Sequence, residues 1–181
     1  MLRRAGAGAV LTAPPGIREG TQRPADDDIT LPQRAMAVRR AAARLCVLMG
    51  WAPVHEVTLP NGRRADILAL LPDGGFACIE VKSGARDFLT DQKWLEYRDF
   101  CDALYFAVDG GFPQELLPAE VGLIVASDRE AELVREAPAH KLPPSRRRAL
   151  LLRFAALAAT RLAVLEDPGA AAALRGALRA E

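Results

Sequence analysis

The stretch from Arg64 to Lys82 constrains the fold more than any other, because it reads as two strands, one turn and a single register. Leu68 to Leu71 and Phe76 to Val81 are apolar runs of strand length, and Pro72-Asp73-Gly74-Gly75 between them is turn chemistry. Proline suits the first turn position and aspartate the second, while Gly74 can take the left-handed conformation that closes a three-residue hairpin loop. Pairing Leu71 with Gly75 then sets Asp66 directly opposite Glu80. Side chains alternate along a strand, so Glu80 and Lys82 share one face while Ile79 and Val81 point to the other.

Two carboxylates and an ammonium on one side of a sheet define a chemistry. Carboxylates at cross-strand distance repel unless a cation lies between them. Oxygen ligands in a site that keeps waters suit Mg²⁺ or Mn²⁺. A lysine two residues from a ligand can position an attacking water or stabilise developing phosphoryl charge. The plainer alternative is a solvent-facing cluster that neutralises itself. Against it, Asp66, Glu80 and Lys82 interrupt strands that otherwise read as buried.

Around this hairpin the chain alternates helix and strand. Gln33 to Met49 has helical periodicity, opened by Thr30 or Pro32 and stopped at Gly50, with Met36, Leu45, Leu48, Met49 and several alanines on its apolar face. Its arginines, Arg34, Arg39, Arg40 and Arg44, are exposed charges or the beginning of a phosphate-binding surface. Trp51 to Leu59 reads as the first strand, and its Glu56 is a candidate third acid, as ligand or base. Arg63 and Arg64 follow a Pro60-Asn61-Gly62 turn beside Asp66, where guanidinium groups match phosphate geometry. A helix capped by Asp87 is predicted to run to Cys101, with Lys93 and Tyr97 on one face and Trp94 packed inside.

Asp102 to Val108 is almost wholly apolar, which fits a central strand parallel to the previous one after a helical crossover. Val121 to Ala126 is a further strand and Glu132 to Arg135 an edge strand. Pro143-Pro144-Ser145 opens a long helix to Leu165, apolar at Leu150, Leu151, Phe154, Leu157, Ala158, Leu162 and Leu165. Arg146, Arg147 and Arg148 at its start oppose the helix dipole, a misfit that points to an anionic partner. Residues 1–30 have the composition of a disordered tail, with Asp26 to Asp28 a solvated run. Residues 31–165 form the domain, and 166–181 are an alanine-rich tail or short helix.

Composition narrows the function. Net charge is only +1, so nucleic-acid affinity must come from clustering of basic side chains. Three cysteines far apart with no C-x-x-C, and two isolated histidines, argue for reduced thiols and against a zinc site. No apolar run approaches membrane-spanning length and the N-terminal segment is too weak for a signal peptide, so the expected location is cytoplasmic, with no membrane partner.

These residues carry a family resemblance. Asp66 followed by Glu80-Val81-Lys82 resembles the D…(D/E)-x-K signature of the PD-(D/E)XK nuclease superfamily. Lys93 to Tyr97 is similar to a helical Q-x-x-x-Y element found in one branch of it, with lysine where glutamine is usual and Gln92 beside it. More closely, Arg63 to Asp66, Ile79 to Ser83, Asp91 to Trp94 and Tyr97 to Asp102 resemble the bacterial MmcB-type DNA repair proteins, over roughly residues 33–165. Two departures are visible: Ala65-Asp66 replaces Pro-Asp, and the first helix lacks the acidic residue that often joins the site.

The resemblance implies an α/β fold with a restriction-endonuclease-like core: a mixed β-sheet, antiparallel meander plus a parallel strand after a crossover helix, flanked by helices. It implies Mg²⁺ or Mn²⁺ on Asp66, Glu80 and the Val81 carbonyl. Lys82 would orient the water and Lys93 steady the scissile phosphate. Arg63, Arg64, Lys93, Tyr97, Arg146, Arg147 and Arg148 would contact DNA. The expected function is metal-dependent hydrolysis of DNA phosphodiesters in repair. The alternative is a catalytically silent DNA- or protein-binding module on the same fold. A homodimer or other repair proteins are the partners left open beside DNA.

Overall fold

The computed structural model describes residues 30–90, 93–127 and 129–177; the expectations for the N-terminal tail, for Asp91 and Gln92, and for the last four residues lie outside them. Its frame is one six-stranded mixed sheet whose spatial order follows the chain order. Strands β1 (Ala52–Thr58), β2 (Arg64–Leu70) and β3 (Phe76–Lys82) form an antiparallel meander. The next two strands, β4 (Ala103–Asp109) and β5 (Gly122–Ala126), run parallel to β3, and β6 (Ala131–Arg135) closes the far edge antiparallel. Among the described residues no helix is long and apolar enough to cross a membrane.

The hairpin forms as its turn chemistry predicts. Ile67 pairs with Ile79 and Leu70 with Phe76. The loop closes with the Leu71 N–H donating to the Gly75 carbonyl at 2.8 Å and the Gly74 N–H to the Leu71 carbonyl at 2.9 Å. Gly74 has φ +82°, a conformation that costs glycine little.

Helices cover both faces. On one, helix α1 (Leu31–Leu48) lays Val38, Ala41, Ala42, Ala43 and Cys46 over Ile67, Ala77, Ile79 and Ala107. Thr30 opens it, with the Gln33 side-chain oxygen accepting from the Thr30 N–H at 2.9 Å. The predicted apolar face holds in part: its alanines are inside and Leu45 packs against the core, while Met36 and Leu48 are exposed. Small side chains let the helix backbone approach the sheet, a contact that hydropathy periodicity weighted toward large residues underrates.

On the opposite face lie α2 (Ala85–Thr90), a 3₁₀ segment (Lys93–Phe100) and α3 (Pro144–Glu166), which bring Phe88, Trp94, Tyr97, Leu150 and Phe154 onto Phe76, Leu104 and Phe106. The single helix expected from Asp87 to Cys101 is thus two pieces, the first beginning at Ala85. Of the apolar positions predicted on α3, Leu150 and Phe154 are buried while Leu151, Leu162 and Leu165 are exposed. The alanine-rich segment after it is helix α4 (Pro168–Ala177).

Asp102, just before β4, ties three parts of the chain together. Its carboxylate accepts from the Phe76 N–H at 2.8 Å, the Leu142 N–H at 2.9 Å and Arg147 at 2.6 Å. Removing it would leave two main-chain donors and a guanidinium without their acceptor, each costing on the order of 1 kcal/mol or more. Asp102→Ala is therefore expected to lose about 3 kcal/mol, close to a 10 °C fall in melting temperature for a domain of this size. A fall of only a degree or two would show that Arg147 and the 138–142 segment are held some other way.

Candidate active site

The antiparallel ladder between β2 and β3 stops at Ile67–Ile79, one pair short of Asp66 and Glu80. Beyond that point side chains replace main chain. The Asp66 N–H donates to Glu80 Oε1 at 3.2 Å, and the Val81 N–H donates to Asp66 Oδ2 at 2.8 Å. The same pair is skipped on the other side, where His55 pairs with Ile67 and Val57 with Ala65 but Glu56 and Asp66 do not bond. Glu56 is the cause: at φ +52° it is the one non-glycine residue with positive φ among the described residues, and its carbonyl turns out of the ladder.

The alternation of both strands slips by one at this point, so Val54 and Val57, like Ala65 and Leu68, belong to the same apolar layer. Strict period-two alternation along β1, which would put Val54 and Val57 on opposite faces, fails for this reason.

Glu80 and Lys82 are each only 5 % exposed, on the face that β3 shares with Phe106 and Val108 of the neighbouring strand. Phe88 and Trp94 stand edge-on to Phe106, with ring centroids 5.3 and 5.7 Å away, and wall that face in. Burial, and then the nearby Asp66 charge, push the Glu80 carboxyl up from its ordinary 4.5 to about 8. Burial likewise raises Asp66, against the opposing pull of the Val81 N–H. The Lys82 ammonium lies near enough to favour the ionised form of both. The Tyr97 hydroxyl lies 3.2 Å from the Arg64 carbonyl and within reach of the Glu80 carboxyl, and burial and that carboxyl push its own pKa up.

The other predicted residues divide by position. Glu56 is beside the pair but turned into two guanidinium groups, Arg39 and Arg64, the latter at 2.6 Å. Among the described residues no three His, Cys, Asp or Glu side chains converge as a metal-ion cluster. Arg63 makes two 2.8 Å bonds to Glu96, clamping the β1–β2 connection to the 3₁₀ segment. Lys93 is exposed at the start of that segment and Tyr97 is buried. The shared face predicted for them does not exist, because a 3₁₀ turn has about three residues and so groups Tyr97 with Trp94.

Arg146, Arg147 and Arg148 lie at the far end of the sheet. Arg146 bonds the Asp99 carbonyl at 2.7 Å, and Arg147 reaches Gly74 and Asp102. Phe76, at that end of β3, is four residues from Glu80, about 13 Å at ~3.3 Å per residue. Arg146 and Arg147 are thus engaged at the opposite end of β3 from Glu80, and their helix-start misfit is answered inside the protein. Arg39, which the sequence offers only as an exposed charge or part of a phosphate-binding surface, is brought to Glu56 by the path of α1 over the sheet.

A profile of the MmcB-like DNA repair protein family matches residues 22–169. The chain belongs to that family. A solved structure, the SPO1766 protein of unknown function from Silicibacter pomeroyi, is 43 % identical, with a TM-score of 0.71 over 78 % of this chain and 95 % of that one. No curated protein sequence matches the chain. Family membership assigns a part in DNA repair and leaves the reaction unassigned.

The raised Glu80 carboxyl makes stability depend on pH in a defined direction. Between about 4.5 and about 8 the folded protein holds a proton that the unfolded chain has lost, so stability falls as pH rises through that interval. His55, lowered from its ordinary 6.5 chiefly by burial, contributes the opposite slope below that value. Glu80→Gln keeps the shape and removes only the titration. Its melting temperature is expected to exceed wild type at pH 8 and to fall less between pH 5 and pH 8. Parallel curves for the two proteins would mean that Glu80 ionises as freely as a surface carboxyl.

Proposed function

We propose that the protein is a divalent-metal-dependent DNA nuclease acting in repair, with a restriction-endonuclease-like core of the PD-(D/E)XK type. The observation that carries this reading is the buried Glu80 and Lys82 beside Asp66, at the one point where the β2 ladder opens on both sides. Buried charged groups without a structural task are rare, because their desolvation is costly. The family supports a DNA-related role.

The donor set fits Mg²⁺ or Mn²⁺. One or two carboxylates with waters and substrate phosphate make a normal Mg²⁺ site, so the lack of a third protein acid does not disqualify it. Asp66, Glu80 and the Val81 carbonyl would hold the ion, which when bound would polarise a phosphoryl oxygen and lower the pKa of a bound water. Glu80 must lose its proton to serve as a ligand, and Lys82 favours that ionised form. Lys82 also holds a positive charge on the walled face where a phosphorane would develop negative charge. Tyr97 fixes the Glu80 carboxyl, and Arg64 supplies phosphate contact at the rim. Lys93, exposed on the 3₁₀ segment, remains in reach of a bound strand as a weaker contact.

A second reading, a catalytically silent DNA- or protein-binding module, is favoured by one observation. Glu56, the available third acid, is engaged by Arg39 and Arg64 and does not face the pair.

Two measurements separate these readings. Mn²⁺ titration by calorimetry is expected to show binding in wild type and none in the Asp66→Ala, Glu80→Ala double variant; identical heats would remove the metal site. Lys82→Met keeps the stem and deletes the charge, so cleavage of a DNA panel should slow about a hundredfold, roughly 3 kcal/mol of lost transition-state stabilisation, with Mn²⁺ affinity retained. Cleavage at the wild-type rate would discard the role of Lys82, and no cleavage of any DNA by wild type would favour the silent module.

A further inference from the structure

Three elements meet at one carboxylate. Glu56 on β1 places one oxygen against Arg39 from α1 and the other 2.6 Å from Arg64 Nε at the start of β2. The trio is neither buried nor loose, with side chains 25, 30 and 65 % exposed for Arg39, Glu56 and Arg64. Arg161 of α3 holds the main chain behind it, donating to the His55 and Glu56 carbonyls. Glu56 adopts φ +52° to reach this position, a conformation that non-glycine residues avoid. Its place in the register is opposite Asp66, and the charges of Glu56 and Arg39 reach the Asp66 carboxyl.

We propose that Arg39 and Arg64 form a phosphate-binding fork, which the Glu56 carboxylate occupies in the free protein and a backbone phosphate of bound DNA displaces. The inference rests on the reading that DNA passes the Asp66–Glu80 site and adds how it is gripped there. A carboxylate shared between two arginines presents the same acceptor pattern as the two unesterified oxygens of a phosphodiester. The Arg64 side of the trio is open to solvent, where an ion pair is weak, so the internal carboxylate competes with a phosphate without shutting it out. The strained main chain at Glu56 also makes its departure easier than that of an unstrained residue. A fork closed about nine-tenths of the time weakens the apparent affinity about tenfold. Such competition favours ligands that engage several phosphates at once over single free phosphates, which a protein in a phosphate-rich medium requires.

The test is DNA binding without catalysis. Binding of a labelled duplex in chelator-containing buffer is measured for wild type, Glu56→Gln, Arg39→Gln and the double variant, with Glu56→Gly as a second opener that also relieves the backbone. Glu56→Gln and Glu56→Gly are expected to bind about tenfold tighter than wild type. In the Arg39→Gln background the same Glu56 change is expected to gain less than about twofold, because the fork is already broken. Unchanged or weaker binding in both Glu56 variants overturns the proposal. So does an equal gain with and without Arg39, which would mean that Glu56 repels DNA only through its charge. The outcomes stay separate from the nuclease reading: tighter binding with no cleavage in Mn²⁺ removes the catalysis and keeps the fork, while cleavage with no gain removes the fork alone. Absence of DNA binding in every variant overturns both.

Discussion

The exchange of side chain for main chain between β2 and β3 is the feature on which the site depends. A sheet normally satisfies each strand with its neighbour, and a central strand such as β2 has no solvent to fall back on. Here Glu56 leaves the ladder on one side and the Ile67–Ile79 pair ends it on the other. Two carboxylates take over, Glu80 accepting from Asp66 and Asp66 from Val81. Each acid thus fixes the strand that carries the other. The acids cannot move apart without stranding a buried N–H, and the strands cannot zip shut without expelling the acids. That reciprocity, together with the proton that Glu80 keeps up to about pH 8, explains how two acids persist side by side in a largely apolar layer.

The opposite end of the sheet shows the contrasting use of the same residue types. Asp102 and Arg147 join the hairpin loop, β4 and the start of α3, with their hydrogen bonds directed inward to Phe76, Leu142 and Gly74. At the Asp66 end the basic groups instead come from separate elements and converge on one half-buried acid, Glu56. With a net charge of only +1, the distribution and not the total decides where an anion can dock. Most arginines named from the sequence are committed to internal acceptors, which leaves the Glu56 rim as the basic region next to the carboxylate pair.

Local chemistry made much of this legible in the sequence. Pro72 to Gly75 set the hairpin register, which carried Asp66 to Glu80 and put Lys82 on the same side as Glu80. The apolar run through Phe106 marked a parallel, doubly covered strand, and β4 is one. What escaped depends on tertiary contact. The 3₁₀ winding that separates Lys93 from Tyr97 follows from packing Trp94 on Phe106. The arginine triplet shows that a charge run does not tell whether its partners lie inside the chain, as those of Arg146 and Arg147 do. Glu56 was noticed as an acid; its left-handed backbone, which turns it to Arg39, has no signature in composition or period.

The free protein is balanced internally at two points, and on the proposed reading both balances are temporary. In the apolar layer, a proton held by Glu80 up to about pH 8 stands where a divalent cation would let both acids ionise. At the rim, the Glu56 carboxylate stands where a phosphate would sit between Arg39 and Arg64. Each group can be displaced: the Glu80 proton is lost as pH rises through about 8, and the Glu56 ion pairs are only partly buried. Each lowers the cost of keeping an anionic or cationic site intact without its ligand, since an uncompensated buried charge would destabilise the sheet that builds it. The two occupants also differ in what displaces them, a cation in one case and an anion in the other. Cation and phosphate can therefore enter together with little net change in local charge, so each reduces the electrostatic cost of the other. On the proposed reading, cooperative entry of metal and DNA would follow from that charge balance.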